Sequence, residues 1–254
     1  MNKSSSSNAK DFFNSISKDY KKKYANHNQF HFYFFNERLQ KATKGLLLNG
    51  KKVLDVGAGT GDLYDHISKQ YSKTEYCATD VAAGMLENSL IPSSSRYLGA
   101  IPHLELPYKN FDFIFMLGVS TYLTPHEMNE HLNYFAHHVE LNSGQVVITF
   151  TNKYSLDNLF RTLLKPVISI LRNKDTVLSQ NILIQKYTYN EAIDLFTKSG
   201  FKVRNVEWLN HTIFPFNLIF KKPSISLAIM IDRFSNQTFL SLLSSDFMIK
   251  ASLK

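Results

Sequence analysis

The stretch "KKVLDVGAGTGDL", Lys51 to Leu63, decides the fold. Its first half is a short apolar run interrupted by Asp55, and its second half sets glycines at 57, 59 and 61 ahead of a helical pattern that starts near Asp62. A strand, a tight turn and a helix therefore follow one another. Glycine tolerates positive φ and lets backbone approach a ligand closely, while the first N–H groups of the helix bring partial positive charge to the same place. Such a turn is suited to hold a ligand.

Beyond this turn, short β-rich runs alternate with helical patterns: "KVLDV", a helix from Asp62, "TEYCATD", a helix from Ala83, "SRYLGA", "FDFIFML", a helix from Pro125, and "GQVVITF". Near-continuous apolar strands separated by helices describe a parallel sheet covered on both faces. After Phe150 the rhythm changes. Ser155 to Arg172 reads as an amphipathic helix with a junction at Lys165-Pro166; "YNEAIDLFTKSG" is a helix stopped by Gly200, and "FKVRNVEWLN" is a strand. A helical, aromatic-rich stretch from His211 to Leu243 precedes the last strand, "DFMIKASL". On the amino-terminal side, "DFFNSISKDYKKKYA" and "FHFYFFNERLQKATKGLLL" are helical, and Asn49-Gly50 stops them.

The expected class is α/β: a doubly wound, Rossmann-like, seven-stranded and mostly parallel sheet with a helical N-terminal cap and helical insertions after strands five and six. The expected division is a basic helical cap over residues 1–50, with 1–9 disordered, then a ligand-binding core over 51–152. A helical insertion acting as a lid over 153–188 and the C-terminal part of the sheet over 189–254, with its own insertion at 211–243, complete the chain.

Several ligands compete for the glycine turn. A triphosphate-binding loop needs Gly-Lys-Ser/Thr at its end, but Gly61 is followed by Asp62 and Leu63. A dinucleotide fingerprint needs G-x-G-x-x-G, whereas the glycines here run G-x-G-x-G and Asp62 takes the third-glycine position, where a pyrophosphate would meet negative charge. A cationic, phosphate-free ligand fits what remains, because Asp55 can take part in holding an ammonium group and the turn contains no basic residue.

"VLDVGAGTG" resembles motif I of the class I S-adenosylmethionine-dependent methyltransferases, in particular the small-molecule, type-11-like domains. Asp80 closes the second strand nineteen positions after Gly61, and "VAAGMLENS" is similar to the family's following turn and helix. "YLGAIPHLELPYKNFDFIFML", "GVSTYLTPHEMNEHLNYFAHHVELNSGQVVIT" and "KYTYNEAIDLFTKSGFKVRNVEW" resemble its later elements, so the likeness runs from about Asp11 to Trp208 and includes the last strand. The resemblance implies S-adenosyl-L-methionine as cofactor. It implies that Gly57, Ala58, Gly59 and Gly61 make room for it, that Asp55 supports its methionine end, and that Asp80 accepts both ribose hydroxyls. Val81, the Ala100–Ile101 backbone and Leu117 complete the implied cofactor site, with Val81 and Ala100–Ile101 at the adenine.

The implied reaction is methyl transfer to a small or lipid-like acceptor, at oxygen or carbon. Tyr122, on the loop that faces the transferring methyl in this fold, is the candidate catalytic residue. Thr121 stands where many relatives carry histidine, and no Asn/Asp-Pro-Pro-Tyr element follows the fourth strand, so methylation of base or glutamine amines lacks its usual motif. The N-terminal helices are expected to close over the cofactor through aromatics such as Phe12, Tyr20 and Tyr24. The apolar stretches "LFRTLLKPVISIL" and "TIFPFNLIFKKPSISLAIMI" read either as an acceptor lid or as ordinary core helices and a dimer face.

Charge and composition bound the partners. The net charge of +8 lies entirely in residues 1–52, which hold 11 basic against three acidic side chains; the remaining chain is balanced. A basic segment suits an anionic membrane surface, a nucleic acid or an anionic substrate, and equally a solvated helix. Arginine is scarce and no RNA-binding module is appended, so nucleic acid is not expected, although an RNA methyltransferase and a catalytically silent binding protein at a membrane surface stay open as alternatives. One cysteine, Cys77, excludes an intramolecular disulfide and any cysteine-built zinc site, and no metal is expected. With no apolar targeting segment at the N-terminus, the expected location is cytoplasmic, with peripheral membrane contact through the basic N-terminus.

Overall fold

The computed structural model describes residues 5–23, 29–164, 184–234 and 238–254. Seven strands form one sheet: β1 (Lys52–Val56), β2 (Glu75–Asp80), β3 (Arg96–Leu98), β4 (Phe113–Met116), β5 (Gln145–Thr151), β6 (Phe201–Leu209) and β7 (Asp246–Leu253). Their order is β3-β2-β1-β4-β5-β7-β6. The first five are parallel, and β7 runs antiparallel between β5 and β6. The order reverses between β1 and β4, and at such a switch the loops leaving the strand carboxyl ends diverge and open a crevice.

The apolar strands explain the layers. β4, "FIFM", is buried along its whole length, and alternate residues of each strand go to opposite faces. Leu54, Ile114, Met116, Ile148, Phe135 and Phe150 build one core. Val53, Ala78, Phe115, Val147, Leu48 and Ile67 build the other. Each fully buried side chain of this size contributes about 1.5–3 kcal/mol relative to exposure, so the two faces drive the fold.

Helices α3 (Asp62–Ser68), α4 (Ala83–Glu87), α5 (Pro125–His138) and α7 (Tyr189–Lys198) lie at the expected places, and α6 (Leu156–Leu163) opens the first insertion. Two of them begin with reciprocal caps: Thr124 with Glu127 on α5 and Thr188 with Glu191 on α7. The Lys165-Pro166 junction and most of the expected lid lie outside the described residues.

At the amino terminus, α1 (Ser5–Lys23) and α2 (Gln29–Thr43) form the cap. α1 starts at Ser5, inside the stretch through residue 9 that was expected to be disordered. Ala9 and Phe12 are buried, and docking of these residues outweighs the weak helix propensity of the serines.

α2 is locked to the sheet through Lys41. Its ammonium donates to Glu37 Oε1 at 2.9 Å, to the Trp208 carbonyl at 2.7 Å and to Asp232 Oδ1, while Glu37 Oε2 accepts the Asn210 N–H at 2.9 Å. The C-terminal insertion contains α8 (Phe216–Ile219) and α9 (Lys221–Asp232), so one lysine joins α2, the end of β6 and α9. Among the described residues no helix is long and apolar enough to cross a membrane.

Lys41→Met removes the cation and leaves the buried Glu37 carboxylate without its counter-charge. Urea unfolding should show a loss of about 3–5 kcal/mol, the usual cost of breaking one side of a buried ion pair. A loss under about 1 kcal/mol would show that α2 is held by its apolar contacts instead.

Candidate active site

The turn after β1 takes the conformation its glycines permit: φ is 72° at Gly57, 56° at Gly59 and 82° at Gly61. A Cβ on Gly57 would lie 2.3 Å from Val119 Cγ2, so only glycine lets the β4 loop close against the turn. The Gly57 and Ala58 N–H groups donate to the Thr79 carbonyl at 2.8 and 3.0 Å, which folds the turn across the end of β2.

Asp80 then fixes it from the other side. Oδ2 accepts the Gly59 N–H at 2.8 Å and Oδ1 accepts the Ala82 N–H at 2.8 Å. Burial raises its carboxyl above the ordinary range, and the N–H bonds from Ala82, Gly59 and Val81 pull the other way. Each oxygen retains a second lone pair, so a pair of ligand hydroxyls can donate to it.

Asp55 is 3% exposed and lies at the bottom of the same crevice, with the Tyr76 phenol donating to Oδ2 at 2.7 Å. Burial pushes its carboxyl up to about 7; the Tyr76 bond opposes this, and the nearby charges of Asp80 and Asp62 add to it. A cation brought next to such a buried acid would favour its ionised form.

These groups open into a cavity of about 1360 Å³. Of the residues named from the sequence, Asp55, Gly57, Ala58, Gly59, Asp80, Val81, Ala100, Ile101, Leu117 and Tyr122 all line it. Gly61 does not: it is the N-cap of α3, and a Cβ there would meet Ile91 Cγ1 at 2.9 Å, so its part is in packing the turn. The residues present fit a ligand with paired hydroxyls and a cation. The positive-φ turn leaves backbone open to the cavity, the two acids face it, and residues 57–61 carry no basic side chain that would fit a phosphate.

The cap closes one side of the cavity. Asn14 Oδ1 accepts the Gly84 N–H at 2.9 Å, and the Phe13 ring meets Tyr122 edge-on at 5.3 Å, so α1 reaches from α4 to the β4 loop. Phe13 and Tyr20 line the cavity, Phe12 is instead buried in the packing of α1, and Tyr24 lies outside the described residues.

On the far side the wall comes from distant parts of the chain: Phe30, Phe34, Phe35 and Arg38 of α2, Asp157 and Arg161 of α6, and Asn210 and Asp246 at the ends of β6 and β7. Nothing local in the sequence marks these positions. The only hint was aromatic crowding in "FHFYFFNERL".

Glu37, His211 and Asp232 place possible metal-binding atoms within 4.8 Å of one another. The Lys41 ammonium bonds two of the three, which makes the group an ion-pair network already supplied with its cation.

Residues 54–142 match the family model described as a methyltransferase domain. No curated protein sequence matches the chain. Among solved structures, magnesium protoporphyrin IX methyltransferase from Synechocystis PCC 6803 with bound S-adenosylhomocysteine has a TM-score of 0.64 and 12% identity, covering 98% of this chain and 100% of its own. A methyltransferase from Thermotoga maritima gives 0.60 and 17%, with 96% and 99% covered. One from Mesorhizobium loti gives 0.57 and 14%, with 85% and 99% covered. The family match falls on the strands that build the glycine turn and the solved folds span the rest, so this chain carries a methyltransferase domain of the class I fold, which takes S-adenosylmethionine as methyl donor.

Proposed function

We propose that the chain methylates a small, hydrophobic or lipid-like acceptor at oxygen or carbon. The observation that carries this reading is the continuity of the cavity: one space of about 1360 Å³ extends from the glycine turn to a wall containing Phe30, Phe34 and Phe35. Pockets for single small ligands occupy about 300–1,000 Å³, so there is room for a cofactor and an acceptor together.

In this reading Asp80 holds the ribose hydroxyls, Asp55 the ammonium of the methionine end, and Gly57 to Gly59 the space between. Val81, Leu117 and the Ala100–Ile101 backbone surround the adenine side. S-adenosylmethionine supplies a methyl group already activated by its sulfonium, so the protein contributes chiefly proximity and alignment. In this reading Tyr122, at the cavity wall and in edge-on ring contact with Phe13, orients the acceptor through its hydroxyl. The loop that carries it is held firmly: the Gly118 N–H donates to Thr149 Oγ1 at 2.7 Å, and the Gln185 N–H to the Thr121 carbonyl at 2.7 Å.

The basic N-terminal segment supports a small-molecule reading more than an RNA one. Lys41 and Lys51 are engaged with Glu37, Asp232 and Asp112, and Arg38 lines the cavity, so part of the surplus points inward. Methyl-labelled S-adenosylmethionine incubated with the protein and a cell extract should deliver ribonuclease-resistant label to organic-soluble small molecules. Label recovered in RNA would contradict the reading.

Asp55 makes cofactor affinity pH-dependent. Its folded pKa, about 7, lies above the ordinary carboxylate range, so its proton stabilises the ligand-free fold at low pH, and that contribution is lost as pH rises through about 7. A bound ammonium reverses the preference. S-adenosylhomocysteine affinity by calorimetry should rise up to about tenfold per pH unit between about pH 5 and 7 and level off above. Asp55→Asn should flatten this profile; an unchanged slope in that variant would remove Asp55 from the ammonium site.

A further inference from the structure

The C-terminal insertion turns an apolar face outward. α8 and α9 follow one another across Phe220, and along them Phe216, Ile219, Phe220, Leu227, Met230 and Phe234 are each more than half exposed. Within α9 the exposed residues Pro223, Leu227, Met230 and, just past its end, Phe234 follow one another at steps of four, three and four, which puts them on one side of the helix. Only Ala228 of α9 is buried. Single exposed apolar residues need no explanation, but a continuous stripe of them marks an interaction surface.

The insertion is fixed in this orientation from its inner side. Asp232 pairs with the Lys41 ammonium and stands 3.5 Å from His211 Nε2. Asn217 is buried, with Nδ2 donating to Thr212 Oγ1 at 3.3 Å, and the Phe214 N–H donates to Asp157 Oδ1 at 2.8 Å. Rolling the insertion to hide its stripe would break these buried bonds.

Charge on the outer side has one sign. Asp232 is the sole acidic residue between 211 and 245, and it is engaged inward. Lys221, Lys222 and Arg233 are exposed, and no carboxylate among the described residues pairs with them. The two lysines stand in the first turn of α9, where the helix dipole is already positive and no side chain caps the free N–H groups. That placement is unfavourable in isolation and favourable against an external anionic surface. It also disfavours pairing of α9 with a second copy: laid antiparallel, the lysines would face the partner copy's C-terminal arginine, and laid parallel they would face each other. A helix with one apolar side and cations at both ends matches an anionic bilayer surface.

The stripe borders the cavity. α9 packs along α2, and its Lys221 lies close enough to His31 of the cavity wall that, after burial and the Arg161 charge, it helps to hold that imidazole below its usual range. We propose that α8 and α9 lie flat on an anionic membrane, with the apolar stripe between the lipid headgroups and Lys221, Lys222 and Arg233 at the phosphates, and that the acceptor enters the cavity from that surface. The route of entry rests on the lipid-like acceptor reading; the docking surface stands without it.

Co-sedimentation of the full chain with vesicles tests this, using phosphatidylcholine alone and an equimolar mixture with phosphatidylglycerol. Wild type is compared with the triple variant Leu227→Ser, Met230→Ser, Phe234→Ser and with the double variant Lys221→Glu, Lys222→Glu. Circular dichroism, melting temperature and an unchanged S-adenosylhomocysteine affinity establish that each variant is folded, and the double variant decides alone if the triple one is not. Wild type should favour the anionic vesicles by about tenfold or more, and each variant should lose about tenfold or more of that binding. Wild type that sediments with neither vesicle, or full retention of binding by either variant, would overturn the inference. A wild-type dimer in light scattering that the triple variant converts to monomer would assign the stripe to a second copy and overturn it as well. Vesicle binding as expected, with methyl label confined to water-soluble products, would overturn the lipid-like acceptor reading and the route of entry while the docking surface stands.

Discussion

The site depends on one carboxylate that two pieces of backbone share. Asp80 accepts from Gly59 in the turn after β1 and from Ala82 in the turn after β2, and so ties the two turns together, Gly59 lying 21 residues before it in sequence. A charge-assisted bond of this kind is worth about 1.5–3 kcal/mol, comparable to burying a large side chain; the bond from Ala82 fixes the carboxylate and the one from Gly59 holds a turn made of residues that cost the most entropy to order. The glycine turn can therefore keep φ of 72°, 56° and 82° without a ligand present to impose it. Preorganisation of this kind lets binding energy go to the ligand instead of to arranging the loop.

Acidity is then concentrated where basic residues would be expected in a phosphate site. Asp55 and Asp80 face one cavity, and burial raises both. Two carboxyls pushed toward neutrality in a low-dielectric crevice favour a ligand that brings hydroxyl donors and a positive charge. Arg38 lines the same cavity, and its Nε is buried with no hydrogen-bond partner among the described residues. The cavity lining thus carries both acidic and basic side chains beside the aromatic rings of α2.

Much of this was legible in the sequence because it is local. Strand, glycine turn and helix succeed one another within Lys51 to Ser68, and each of the seven β-rich runs became a strand. Asp80 was recognisable because it ends a strand at a family spacing. What was not legible is what depends on folding back. Gly61 shares the G-x-G-x-G pattern but faces Ile91 instead of the cavity, since a helix N-cap turns it away. Ser5 to Ala9 is poor in helix formers, yet tertiary docking of Ala9 and Phe12 carries the helix through it. Arg38, Asp157 and Asp246 line one cavity from three segments 119 and 89 residues apart, and no periodicity or spacing announces that meeting.

The most direct test of the cofactor assignment is a thermal-shift panel with S-adenosylmethionine, S-adenosylhomocysteine, NAD, NADP and ATP, each in large excess, on wild type and on Asp80→Ala. A ligand that binds only the folded state raises its apparent stability by mass action. Selective stabilisation of the wild type by the two adenosyl-sulfur compounds, reduced strongly in Asp80→Ala, is the expected result. Stabilisation by NAD, NADP or ATP in their place would contradict the assignment of the turn.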